Sequence, residues 1–276
     1  MKYKMLVSDL DETLLNDNGT INEKNVTAIK AASAAGFKFV PNTGRSYLSV
    51  QSLLRELDLY DQIDQFVISY NGAAIIENKG NQVVLTQEMP FSLAKSVLTA
   101  GLVDTTVDAH IYTVEKLYIY NLSDSDRQYM ADRQVPYEVI TTADITFLAK
   151  EPIMKVIFES ADAKVREQIK TAVMAAVGSQ VTATFSSNRY VEFNKQGVNK
   201  GAATLHLAEQ LGIQASEVMA IGDNNNDIAM IEAAGLGIAV ANAIPTVKDI
   251  ANLVTKRTNN EGAIAEVLEQ YVLGGN

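Results

Sequence analysis

The most constraining feature of this 276-residue sequence is a strand–helix alternation that begins at the N-terminus, breaks off, and resumes near residue 199. Residues 3–10 form a short, mostly apolar run suited to a buried strand. Residues 22–35 read as a helix: Asn22 can cap it, Val26 and Ile29 share a face, and Gly36 stops it. Residues 37–41 predict a second strand, 46–57 a second helix, and 65–69 a third strand running into Tyr70-Asn71-Gly72. Strands and helices joined this closely imply a parallel sheet with crossover helices. From about residue 83 to 194 the alternation is lost. Strand-like runs at 109–113, 116–120, 154–159, 181–186 and 190–193 fall in neighbouring pairs, with helical segments at 91–100 and 161–176. That pattern predicts an antiparallel α+β unit. The alternation then returns as a helix at 199–212, a strand at 218–221, a helix at 227–234 and a strand at 238–240. The predicted fold is therefore α/β, a Rossmann-like parallel-sheet core of residues 1–84 and 195–276 interrupted by an α+β domain of residues 85–194. Residues 274–276 are expected to be a loose end.

In open parallel sheets, ligands sit at the carboxyl ends of strands, and four polar motifs fall there. Asp9-Leu10-Asp11-Glu12-Thr13 follows the first strand. A turn beginning at residue 10 can bring both aspartates to one pocket, where one attacks and the other handles protons. An acidic turn capping the next segment is the plainer alternative. Gly222-Asp223-Asn224-Asn225-Asn226-Asp227 follows the strand at 218–221. Clustered hard oxygen donors suit Mg²⁺, which takes a few carboxylates and keeps water and phosphate ligands. A helix cap alone needs fewer such residues. Thr43-Gly44-Arg45 offers a hydroxyl and backbone N–H groups to phosphate oxygens, although a Thr there is also a common cap. Lys200 stands at the start of a helix, where its charge opposes the macrodipole. A cation that steadies an attacking carboxylate explains its place; a solvated surface lysine is the alternative.

Composition narrows the partners. The formal net charge is −10 and no run of Lys or Arg stands out, which argues against sequence-independent nucleic-acid binding. A small anion can still bind if a metal or lysine concentrates positive charge at one point. There are no cysteines, hence no disulfides or thiolate chemistry. No stretch approaches the roughly 18 apolar residues of a membrane span, and residues 1–10 do not form a signal peptide. A soluble, cytoplasmic protein with no membrane or nucleic-acid partner is expected; its oligomeric state is open.

Together these motifs resemble those of the haloacid dehalogenase superfamily: Asp9 to Thr13 as the first, Thr43 as the second, Lys200 as the third, and Gly222-Asp223 through Asp227 as the fourth. The Ser69-Tyr70-Asn71-Gly72-Ala73 segment, the insertion and the stretch after the fourth motif are similar to the Cof-type branch, mostly sugar-phosphate phosphatases with an α/β cap that sets specificity. Two positions depart from the pattern: Glu12 stands where glycine is usual, and Ser8 where an aromatic is common. The resemblance implies an Mg²⁺-dependent phosphatase acting on a small phosphorylated metabolite through an aspartyl-phosphate. It implies Asp9 as nucleophile and Asp11 as acid–base group. Lys200 would supply charge to Asp9 and the phosphate. Metal would be held by Asp9, the Asp11 carbonyl and Asp223. Thr43, Gly44, Asn71 and Asn226 would hold substrate, with Asp227 supporting Lys200 or the metal shell. Arg45 either touches substrate or makes a salt bridge. A phosphotransferase or mutase of the same superfamily is one alternative, and a non-catalytic phosphometabolite-binding protein another. The short interval between the first two motifs disfavours a mutase, and retention of both Asp9 and Asp11 disfavours simple binding. His110 and His206 are isolated and are read as packed or surface residues, and Tyr112, Tyr118 and Tyr120 as packing of the inserted domain.

Overall fold

The computed structural model describes residues 2–132 and 135–274; the loose end expected at 274–276 lies, for residues 275 and 276, outside them. The chain divides into two compact units, Met1–Leu85 with Asn199–Asn276, and Thr86–Val198. In chain order the elements are β1 (Met5–Ser8), α1 (Glu23–Ala34), β2 (Lys38–Pro41), α2 (Gln51–Glu56), β3 (Phe66–Ser69), β4 (Ala74–Glu77) and β5 (Gln82–Thr86). Next come α3 (Phe91–Gly101), β6 (Asp108–Thr113), β7 (Leu117–Tyr120), α4 (Asp124–Asp132), β8 (Glu138–Ile140), β9 (Ile153–Glu159), α5 (Ala163–Val177), β10 (Val181–Ser186) and β11 (Tyr190–Lys195). The last are α6 (Lys200–Gln210), β12 (Val218–Gly222), α7 (Ile228–Ala233), β13 (Leu236–Ala239), α8 (Pro245–Ile250), β14 (Leu253–Val254) and α9 (Ala263–Leu268). Among the described residues no helix is long and apolar enough to cross a membrane.

The first unit is built on a parallel sheet ordered β14-β13-β12-β1-β2. Its central strands are wholly buried because helices cover both faces, so they read as continuous apolar runs. Ser8 pairs with Ile221 on one side and Pro41 on the other, so β1 and β2 end level and β12 ends one residue later, at Gly222. Their next residues, Asp9, Asn42 and Asp223, leave the sheet together. On one face Met5, Val7, Val40 and Ala220 pack with Leu207 of α6 and Met230 of α7. Asn199 caps α6 by accepting from the Ala202 amide at 2.8 Å, which fixes where Lys200 begins the helix.

Residues 65–69 do form a strand, but not a full member of the parallel sheet. β3 pairs antiparallel with β4 in a three-stranded sheet ordered β3-β4-β5, and meets the end of β2 through one parallel bridge, Asn42 to Ile68. The cause is local. Tyr70, Asn71 and Gly72 all have positive φ (56°, 57° and 98°), which reverses the chain into a hairpin with β4.

In the second unit a six-stranded sheet runs β10-β11-β9-β6-β7-β8, antiparallel except for the β7–β8 pair. Period-two alternation sorts its faces. Ala109, Ile111, Val156, Phe158, Val191 and Phe193 pack with α3 and α5. Asp108, His110, Lys155, Glu159 and Glu192, on the other face, are also buried. Burial of charge requires pairing. His110 Nε2 lies 2.8 Å from Asp126 Oδ2 and 3.3 Å from Asp108 Oδ1; Lys155 Nζ donates to Glu192 at 2.7 Å and Arg189 to Glu159 at 2.9 Å. Burial alone would depress the His110 pKa, but its two aspartates more than reverse that and raise it to about 9. His110 is thus a packed residue, held by charge as well as by contact.

Candidate active site

Three buried carboxylates meet where β1 and β12 end. Asp9, Asp223 and Asp227 can each present an oxygen within 4.8 Å of the others. The register delivers the first two: the Asp9 amide continues the ladder onto the Ile221 carbonyl at 3.0 Å. Asp227 is set by its own loop, where Oδ2 accepts from the amides of Asp223 and Asn224, both at 3.0 Å. Gly222 is required for this close return, because a Cβ there would lie 2.5 Å from the Asp227 Cβ and Cγ. Thr13 Oγ1 donates to Asp223 Oδ1 at 2.8 Å and so ties the first motif to the fourth.

Lys200 lies among these groups with no exposed surface. Its Nζ donates to Asp227 Oδ1 at 2.7 Å and to Asp9 Oδ1. Burial works against its charge, yet Asp227 and Asp9 raise its pKa above the ordinary lysine value. With all three carboxylates ionised, one ammonium would leave two negative charges uncompensated. The Asp9 pKa rises well above the usual carboxylate range, through burial first and then the Asp227 charge, with Lys200 opposing. That of Asp223 rises to about 6, again through burial and Asp227. A buried oxygen cluster with this deficit of positive charge fits a hard divalent cation, which would balance it. Asp227 has both oxygens engaged by Lys200 and by backbone amides, so it is placed to support; Asp9 and Asp223 are the better donors.

A second arc of residues comes from the loops after β2 and β3. The Thr43 amide donates to the Ile68 carbonyl at 2.9 Å, and the Thr43 carbonyl accepts from the Asn71 amide at 3.0 Å. Thr43 Oγ1 accepts from the Arg45 amide at 3.0 Å, which leaves its own O–H proton to donate. Gly44 lies against Asn71: a Cβ there would meet Asn71 Oδ1 at 3.1 Å. Asn226 Nδ2 reaches Asn71 Oδ1 at 3.4 Å, which brings the loops after β3 and β12 together. Asp11 stands apart from the buried trio. It is exposed, and Arg45 engages both its oxygens.

Three contributors are not evident from motif reading. Asn42 is buried and donates to the Lys200 carbonyl at 3.1 Å and to Thr204 Oγ1 at 3.2 Å, which holds the start of α6 against the end of β2. Its only sequence signal is a polar residue prolonging a buried strand. Asn242 Nδ2 donates to the Glu12 carbonyl at 2.7 Å. The third is the Arg45–Asp11 pair.

Glu12 has φ +58°, the left-handed region in which a side chain costs roughly 1–2 kcal/mol. That accounts for glycine being usual at this position. Its charge also adds to the rise at Asp223. Glu12→Gly is expected to stabilise the fold by about 1 kcal/mol, seen as a melting temperature higher by roughly 2 °C. An unchanged or lower melting temperature would refute the strain argument.

A parallel-sheet core that gathers three carboxylates and one buried lysine at its strand ends suits a divalent cation and an anionic ligand, and known proteins of similar sequence and fold give the class. The chain belongs to the haloacid dehalogenase-like hydrolases, whose family profile matches residues 6–268. It is 35% identical over 275 residues to YxeH of Bacillus subtilis (strain 168), covering 98% of this chain and 99% of that protein, whose name gives it provisionally as a phosphatase. It is 30% identical to the 5-amino-6-(5-phospho-D-ribitylamino)uracil phosphatase YcsE of the same organism, over 98% of this chain and 96% of that one. A haloacid dehalogenase-like hydrolase from Bacteroides thetaiotaomicron superposes with a TM-score of 0.86 at 27% identity, covering 98% of this chain and 99% of that one. The chain is accordingly a phosphoric monoester hydrolase of this family.

Proposed function

We propose that this enzyme is an Mg²⁺-dependent phosphatase of small phosphorylated metabolites, with sugar and polyol phosphates foremost, working through an aspartyl-phosphate on Asp9. The observation that carries the reading is Lys200, buried between Asp9 and Asp227 in a site short of two positive charges. Asp9 attacks phosphorus: an O–P bond forms as the bond to the leaving oxygen breaks. Asp11 gives that oxygen a proton, then takes one from the water that cleaves the aspartyl-phosphate, releasing inorganic phosphate and restoring Asp9. Lys200 holds Asp9 by Oδ1 and offers positive charge to the incoming phosphate. Thr43 O–H, the Gly44 N–H, Asn71 and Asn226 receive the phosphoryl oxygens, and Asp227 keeps Lys200 in place. Mg²⁺, held by Asp9, the Asp11 carbonyl and Asp223, would neutralise the repulsion between an anionic nucleophile and an anionic ester.

The substrate class draws on YcsE, whose name specifies a phosphorylated ribityl chain, a polyol monoester. The family resemblance supports the same class and assigns the choice of substrate to the inserted domain, residues 85–194. A cytoplasmic location accords with a small-metabolite substrate.

The test reads both activity and stability. Phosphate release from a panel of sugar and polyol phosphates should require Mg²⁺ and cease with a chelator. Without metal, Asp223 has a folded pKa of about 6 against an ordinary 3.8. A group raised in this way contributes stability below its unfolded pKa and loses it as pH rises through the folded one. Metal-free protein should therefore lose melting temperature between about pH 4 and pH 6, with Asp9 extending the decline upward. Mg²⁺ at a hundred times its dissociation constant should restore roughly 2.7 kcal/mol at neutral pH. Activity that survives thorough chelation, with no effect of Mg²⁺ on melting, would rule out the metal assignment. No phosphate release from any ester would rule out the phosphatase.

A further inference from the structure

Arg45 makes a contact that stability does not explain. Its backbone is fixed on two sides, the amide donating to Thr43 Oγ1 at 3.0 Å and the carbonyl accepting from the Tyr70 amide at 3.1 Å. Its guanidinium faces Asp11, with Nε donating to Oδ2 at 2.9 Å and Nη2 engaging Oδ1. The two side chains are 35% and 56% exposed. A surface pair of this kind contributes about 0–1 kcal/mol, so folding gains little from it. It does remove freedom. A carboxylate on an exposed turn samples several rotamers, whereas a two-pronged guanidinium fixes both its position and its plane.

We propose that Arg45 is the positioning residue for the acid–base carboxylate, anchoring Asp11 in the one orientation from which it reaches the leaving oxygen. This rests on the reading of Asp11 given above. The chemistry is compatible with a partner that stays in place. A protonated Asp11 keeps one carbonyl-type oxygen, which Arg45 continues to hold, while the other carries the proton. As the P–O bond breaks, its electron pair remains on the leaving oxygen, which takes that proton. The hairpin turn at Tyr70 and Asn71 acquires a purpose in this scheme. It pins the Arg45 backbone through the Tyr70 amide and places Asn71 against Gly44 in the same short segment.

Leaving-group dependence tests the proposal, because a merely structural role would not produce it. An alkyl phosphate must expel an alkoxide and needs the proton; p-nitrophenyl phosphate expels a stabilised phenolate and needs little help. Since a well-placed general acid is worth roughly 10²–10⁴-fold, Arg45→Met should lower kcat/KM, which reports the step that expels the leaving group, by about 10-fold or more on glycerol phosphate and by less than about 3-fold on p-nitrophenyl phosphate. Arg45→Lys should recover part of the loss. Arg45→Met added to Asp11→Asn should cost nothing further on the alkyl ester. An equal rise in KM on both esters would overturn the proposal and make Arg45 a phosphate ligand. Unchanged kinetics on both would overturn it as well. A wild type inert on every ester would reject the phosphatase reading along with it.

Discussion

Asp9→Asn is expected to abolish phosphate release, at least about 10⁴-fold in kcat, while leaving the metal-free protein as stable as the wild type or more so. The first half follows from the reaction: an amide oxygen cannot form the aspartyl-phosphate, and Asp11, two residues on, is engaged by Arg45. The second half follows from electrostatics. Burial and the Asp227 charge raise the Asp9 pKa well above the carboxylate range, so the ionised form is disfavoured in the folded state. The sign is then fixed. Stability tied to Asp9 is full below its unfolded pKa and is lost as pH rises through the folded one. At neutral pH the wild type bears that loss and the asparagine variant does not, and Lys200 keeps its bond to Asp227 in both. Single-turnover assays and thermal melts in chelator at pH 5 and pH 8 check both halves. A variant that loses activity and also melts well below the wild type at pH 8 would mean that Asp9 is a structural partner of Lys200 first.

The position of this cluster was legible in the sequence because parallel sheets leave little choice. Asp9 and Asp223 each follow an apolar run and so emerge at the carboxyl edge of the sheet, where ligands sit; that β1 and β12 are neighbours is added by the structure. The helix expected at 199–212 likewise puts Lys200 in its first turn, where Asn199 proves to be the cap of α6. What was not legible depends on single dihedrals or on side chains meeting across loops. Nothing about Tyr70 announces a φ of +56°, so the hairpin from β3 to β4 has no signal, and the third strand reads as one more member of the parallel sheet. Arg45 had two readings, because a side chain that long can turn toward substrate or toward a carboxylate. Its bond to Asp11 joins residues 34 apart, beyond any local pattern. His110 lies in the strand expected at 109–113 and reads as packed or surface, and Asp108, just before that strand, carries no signal of its own. Asp126, from α4, is what pairs with His110 here, and Asp108 meets the same ring nitrogen from β6.

Removing Lys200 should be as damaging to the fold as removing Asp9 is to the chemistry. Lys200→Met keeps length and volume and deletes one charge. Breaking a buried pair in this way costs about 3–5 kcal/mol, because the carboxylates left behind are neither solvated nor neutralised. Here Asp9 and Asp227 lose their ammonium at once. Denaturant titrations should therefore show a fall of that order at pH 8. The loss should shrink on acidification, since protonating Asp9 and Asp223 removes the repulsion that Lys200 had offset. The double variant Lys200→Met/Asp9→Asn separates this account from a packing defect. If charge is the cause, removing one carboxylate restores part of the stability, and the double-variant cycle shows a coupling of about 1 kcal/mol or more between the two sites. If the methionine simply packs badly, the two changes add, and the folded state did not depend on Lys200 for its charge.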